Sequence, residues 1–146
     1  MLALTWICYM KISKGLITKG FVLSGIMNIG GALVFSRFFT NDAIPDADPV
    51  VMSNFGLLMI VVWGLVFLSI SQKYEQLDWL IGVFAIEKFI YTLNWTNWIS
   101  NNDLSVVFNK DLMAGIFYAV YGINDWLFFL FFLYVFINSF KLEKAK

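Results

Sequence analysis

The chain has 146 residues, of which 60% are hydrophobic, 19% aromatic and only 14% charged, with a mean hydropathy of +0.77. Soluble domains run at about 45–50% apolar and about 25% charged, and so short a chain leaves too much surface in water to hide the excess. Ten basic residues balance ten acidic ones, histidine is absent and Cys8 stands alone, which leaves no electrostatic footprint for nucleic acid, no histidine-bound haem or zinc, no histidine acid–base catalysis and no internal disulfide.

Residues 1–10, MLALTWICYM, are apolar but too short to span a bilayer. They lack a basic lead and a small-residue cleavage site, so they read as an interfacial lead-in to the first helix rather than a signal peptide. Four longer apolar stretches follow, at residues 21–39, 50–70, 79–98 and 112–137. Each has the roughly 20 residues that cross hydrocarbon as a helix, the last with some to spare for tilt. Spanning strands would be half as long and would alternate, so helices are the only form that fits. The expected fold is an all-α membrane protein, one four-transmembrane-helix bundle over residues 1–146. Pro45 and Pro49 fall in the first loop and none falls inside a span. Trp6, Tyr74, Trp79, Trp95 and Trp98 lie near span ends, where amphipathic rings settle.

The basic residues set the expected topology. Lys11, Lys14 and Lys19 precede the first span, Lys73 lies in the second loop, and Lys141, Lys144 and Lys146 close the chain; the other side holds only Arg37 and Lys110. Basic residues favour the cytoplasm, so both termini are expected inside, in a multi-pass protein of the cell's inner membrane. The first loop, TNDAIPDADP, is then outside. Its aspartates lack the spacing and closing glutamate of an EF-hand, so it reads as a solvated turn. No metal and no cofactor is expected.

Polar residues recur at one depth. Glu87 and Lys88 are midway through the third span, Asn124 and Asp125 midway through the fourth, and Asn28 near the middle of the first. A charge at a helix centre costs about 2.5–3.5 kcal/mol, so leaving all three charges facing lipid would cost about 7–10 kcal/mol. They are therefore expected to face inward. Glu87, Tyr91, Asn94, Trp95 and Trp98 share one helical stripe, Lys88, Thr92 and Trp95 the adjoining one, and Tyr118, Tyr121 and Asp125 a third. Lys88 with Asp125 is the expected pair, with Asn28 or Asn124 nearby. Glu87 is left over, to be protonated, to reach water or to meet a ligand cation. In the first span Gly20, Ser24, Asn28, Gly31 and Ala32 form a small or polar face, with Ser24 and Gly31 expected against another helix; in the second, Gly56, Ile60, Trp63, Gly64 and Phe67 form a packing face.

Asn28 followed by Gly30-Gly31, the acidic proline-containing loop, the mid-span Lys88 and Asn124-Asp125-Trp126 together resemble small bacterial four-helix integral membrane proteins, distantly DoxX-like. The resemblance implies a four-helix bundle with Asn28, Lys88, Asn124 and Asp125 as its characteristic polar positions. The family pattern has glycine before the lysine, where this chain has Glu87. It implies no activity.

A polar patch in an aromatic interior is the make-up of a pocket, so the leading expectation is a bundle that binds a small lipophilic molecule such as a quinone, a sterol-like compound or a lipid. Asn28, Glu87, Lys88, Tyr91, Tyr121, Asn124 and Asp125 are the candidate ligand-binding or proton-carrying residues. Lys88 would orient an oxygen of the ligand and Glu87 or Asp125 would move a proton. Two alternatives stay open: an accessory or assembly subunit whose polar layer only fixes helix register, and a small oligomeric proton-coupled transporter. The bilayer, and a homo-oligomer or membrane-complex partner, complete the expected partners.

Overall fold

Ser13 starts the first helix. Its hydroxyl accepts a hydrogen bond from the Leu16 amide, satisfying one of the amides that a helix start leaves free, and α1 runs Lys14–Phe35. This computed structural model describes residues 12–143, and among them every regular element is helical. The short α2, Ala43–Ala47, follows within the acidic loop. Ser53 caps α3, Asn54–Ile70, by accepting from the Gly56 amide. A single 3-10 turn at Tyr74–Gln76 leads into α4, Asp78–Asn101. Asp103 caps α5, Leu104–Lys110, and Asp111 accepts from the Ala114 amide at the start of α6, Leu112–Glu143.

The four long helices overlie the four expected stretches with shifted ends. α1 begins seven residues before 21 and stops four before 39, because the chain leaves the helix through Arg37, Phe38 and Phe39, all with left-handed φ of 49°, 56° and 67°. Ser36 and Thr40 side chains hold this reversal, Ser36 accepting from the Phe39 amide and Thr40 donating to the Arg37 carbonyl. At about 1.5 Å per residue, α1, α3, α4 and α6 are about 33, 26, 36 and 48 Å long. Two of them, Lys14–Phe35 and the 112–139 part of α6, are long and apolar enough to cross a membrane; Asn54–Ile70 is apolar but shorter. The lead-in at residues 1–10, with Trp6, lies outside the described residues.

Packing joins the long helices in two pairs, α1 with α3 and α4 with α6, and α1 touches α6 more lightly. Contacts at the helix ends fix their directions. Lys14 at the start of α1 pairs with Glu75 just beyond α3 at 2.8 Å. Arg37 beyond α1 pairs with Asp111 before α6 at 2.8 Å. Trp98 near the end of α4 donates to the Ala47 carbonyl. The four long helices therefore alternate in direction. α1 and α3 approach through glycines: a Cβ on Gly25 would lie 2.8 Å from the Gly64 carbonyl oxygen, and one on Gly64 would lie 2.9 Å from that of Gly25. Of the expected packing face of the second span, Gly64 thus meets α1 and Phe67 is fully buried, while Gly56 lies against its own preceding loop at Val51. Gly31 is a correction. A Cβ there meets nothing within 4 Å, so Gly31 borders open space and does not bring helices together. Ser24 is buried, its hydroxyl turned back onto the Phe21 carbonyl.

Two apolar cores result. One, near the α2 and α5 end, gathers Ile44, Met52, Leu57, Trp98, Phe117 and Tyr118. The other gathers Phe21, Phe67, Phe84 and Phe132, with ring centroids 5.0–5.5 Å apart for Phe67–Phe84, Phe21–Phe132 and Phe84–Phe132. The polar residues lie between them.

Candidate functional site

Lys88 is the centre of the polar layer. Its Nζ donates to Asp125 Oδ1 at 2.7 Å and to Asn28 Oδ1 at 2.9 Å. The Asn28 amide nitrogen donates in turn to the Ile60 carbonyl at 3.3 Å. One lysine thus draws together α4, α6, α1 and, through Asn28, α3. The ion pair is almost dry, with side-chain exposures of 2% and 9%. The ring of Phe67 lies 5.5 Å from the ammonium, within range of a cation–π attraction. Leaving such a buried charge unpaired costs several kcal/mol, which is why a lysine stem with a fixed counter-ion is tolerated here at all.

Glu87 is placed differently. Its Oε1 is 3.9 Å from Lys88 Nζ, beyond hydrogen-bond reach. Both carboxyl oxygens are buried and neither has a hydrogen-bond partner. Buried polar atoms are nearly always satisfied, so such an orphan calls for an explanation.

A cavity of about 60 Å³ adjoins these groups. All seven candidate residues line it: Asn28, Glu87, Lys88, Tyr91, Tyr121, Asn124 and Asp125. Met27, Gly31, Ala32 and Phe35 of α1, Ile60 of α3, and Phe117 and Val120 of α6 complete the walls, and the open space at Gly31 is part of it. Met27 and Val120 are 45% and 43% exposed, so the cavity is a cleft opening on the flank between α1 and α6. Met27, Phe35, Phe117 and Val120 carry no signal in the sequence, where they look like any outward-facing position. The rest of the α4 stripe does not reach the cleft. Asn94 donates to Asp48, Trp95 to the Tyr118 carbonyl, and Trp98 is buried against the Tyr118 ring at 4.2 Å instead of lying at an interface.

A larger hollow, about 320 Å³, lies at the α2 and α5 end beside Trp98 and Val107. Its charged groups are already engaged, Asp46 with Lys110 and Asp103 with the Ser105 amide. The cleft, whose Glu87 carboxyl accepts no hydrogen bond, is the better candidate. Next to the hollow, Asp111 ties the loops: it accepts from Arg37, from Asn41 at 2.9 Å and from the Ala114 amide at 2.9 Å. The Ala114 amide, aided by Asn41 and Arg37 and opposed by partial burial, holds the Asp111 carboxyl below the usual carboxylate range.

No protein-family model, curated protein or solved structure matches this chain. Fold and site alone define its class: an all-helical protein with two helices long and apolar enough to cross a membrane, and a buried ion pair set beside a polar cleft.

Proposed function

We propose that this chain is a multi-pass protein of a bacterial cytoplasmic membrane, a bundle of four transmembrane helices with both termini cytoplasmic, whose cleft holds the polar head of a lipophilic small molecule. The outer faces support the membrane reading. Leu23 and Ile26 on α1, Leu58 and Leu65 on α3, Ile86 and Ile90 on α4, and Leu127 and Leu130 on α6 are all exposed. So wide an apolar belt is foreign to a water-surrounded monomer. Charges avoid that belt: apart from the buried Glu87, Lys88 and Asp125, every Asp, Glu, Lys and Arg among the described residues lies in a loop or within two turns of a helix end. Arg37 and Lys110, the two basic residues at the proposed outer end, are each paired with an aspartate, which leaves the uncompensated positive charge at the other end. The resemblance to small bacterial four-helix membrane proteins, distantly DoxX-like, implies the same count of four helices.

One observation carries the ligand reading: a cleft with Lys88 and the orphan Glu87 at its floor opens on an apolar flank. Its volume exceeds the roughly 10–15 Å³ needed for one water and falls far below the roughly 300–1,000 Å³ of a drug-sized pocket. It therefore suits a small head group whose chain lies along the lipid flank, ahead of a quinone ring or sterol nucleus. The test uses Gly31→Leu, which puts a side chain into the open space of the cleft. Purified wild-type protein in nanodiscs should carry a bound amphiphile in native mass spectrometry, and Gly31→Leu, with an undiminished melting temperature, should not. Equal occupancy in both would refute the cleft as the site. Absence from both would refute the ligand reading and favour an accessory subunit or an oligomeric proton-coupled transporter.

A further inference from the structure

The polar layer is unbalanced. It holds two acids, Glu87 and Asp125, against one base, Lys88, and that base spends its two short hydrogen bonds on Asp125 and Asn28. Glu87 is left with a side chain only 5% exposed, no donor on either oxygen, and the cleft in front of it. A carboxylate is an acceptor with room for several N–H or O–H donors. An ionised Glu87 leaves the cleft short of one positive charge that carries donors.

On the reading of the cleft as a head-group site, the geometry points to a lipophilic amine as its occupant. The alkylammonium group donates to the Glu87 carboxylate, and its chain leaves between Met27 and Val120 onto the lipid flank. Other head groups fit less well. A fatty acid brings a third negative charge into the layer. A quinone offers only acceptors and leaves Glu87 unmet. An alcohol supplies one donor and no charge. The wall adds a second, independent preference, because Tyr91, Phe117 and Tyr121 line the cleft and aromatic faces attract desolvated ammonium groups. A charge-assisted hydrogen bond in so dry a place is roughly twice as strong as a neutral one.

The experiment compares three probes of one chain length, dodecylammonium, dodecanol and dodecanoate, on the full chain purified in detergent, read by thermal unfolding. Dodecylammonium should raise the melting temperature of the wild type, and the other two should raise it much less. Glu87→Gln, which keeps the shape and removes the charge, should weaken dodecylammonium binding by about thirty-fold, the lower end for truncating one partner of a buried hydrogen-bonded charge pair. Gly31→Leu should abolish the shift. Dodecanol matching dodecylammonium on the wild type would overturn the amine while leaving a head-group cleft in place. An amine shift that survives Gly31→Leu, or no shift with any probe, would overturn both. Should Glu87→Gln fail to fold, the contrast between amine and alcohol on the wild type decides the matter by itself.

Discussion

Lys88→Met and Asp125→Leu, alone and combined, probe the ion pair that joins α4 to α6. Lys88→Met leaves Asp125 without its 2.7 Å donor and Asn28 Oδ1 without its 2.9 Å donor, and takes from Glu87 its only nearby cation. Breaking a buried pair in this way costs about 3–5 kcal/mol. Asp125→Leu should cost less, about 1.5–3 kcal/mol, the range for a hydrogen bond to a charged group. Lys88 keeps Asn28 in that variant, and Glu87 Oε1 at 3.9 Å is close enough to swing in. The double variant removes the ion pair and should lie about 1–3 kcal/mol below the wild type, since Asn28 Oδ1 is still unsatisfied and Glu87 still lacks its nearby cation. The assay is reversible unfolding in mixed detergent, with the four proteins forming a double-mutant cycle. Neutral hydrogen bonds between transmembrane helices couple by about 0.6 kcal/mol on average and reach about 1.7 kcal/mol, so a coupling near 2–4 kcal/mol marks an ion pair that supports the bundle. Losses that add to within about 0.5 kcal/mol would refute the reasoning, as would Asp125→Leu proving the more damaging single change.

Gly25→Leu should destabilise the protein by at least about 1–3 kcal/mol, the cost of overpacking, because the added side chain meets the Gly64 carbonyl and Leu68; unfolding in the same detergent system measures it, and Gly31→Leu is the neutral control. Reporter fusions after Lys146 and within residues 40–49 should score cytoplasmic and external respectively; an external carboxyl terminus would reverse the proposed topology. The Asp111 carboxyl has a lower pKa folded than its unfolded value of about 3.9. Its stabilising contribution is therefore full above that value and is lost as pH falls through the folded pKa. Unfolding titrations should show Asp111→Asn less stable than the wild type at pH 7, with the gap closing below about pH 4.

The meeting of Lys88, Asp125 and Asn28 was legible because depth is written into a hydrophobic stretch: three polar groups at one level, two of opposite charge, have few places to go. Helix existence was legible for the same reason, since length and apolarity alone define it. Helix–helix contact was less so. Gly25 and Gly31 look alike in the sequence, yet one lies against Gly64 and the other faces a cleft. The rotation of α1 that separates them is set by Phe131 beside Gly20 and Leu68 beside Gly25, partners far along the chain. α2 and α5, at five and seven residues, are too short for any periodic signal. The orphan state of Glu87 could be stated only as a leftover charge. It takes coordinates to show that Lys88 reaches past it.

On the proposed membrane reading, the partition of charge between the helix pairs bears on how the chain would enter a bilayer. Lys88 and Asp125 belong to the same antiparallel pair, α4 and α6, while α1 and α3 carry no ionisable residue at that depth. The first hairpin can leave the insertion machinery bearing nothing more polar at its centre than Asn28. The second would stall helix by helix, because α4 alone presents two charges at its midpoint and each costs about 2.5–3.5 kcal/mol. Held until α6 emerged, α4 would receive its counter-ion from its own hairpin, 37 residues on. Only then does Asn28 close the layer from the other side. On that reading the order of synthesis matches the order of neutralisation, and a chain cut within residues 102–111 should insert its first two helices and leave the third at the membrane surface.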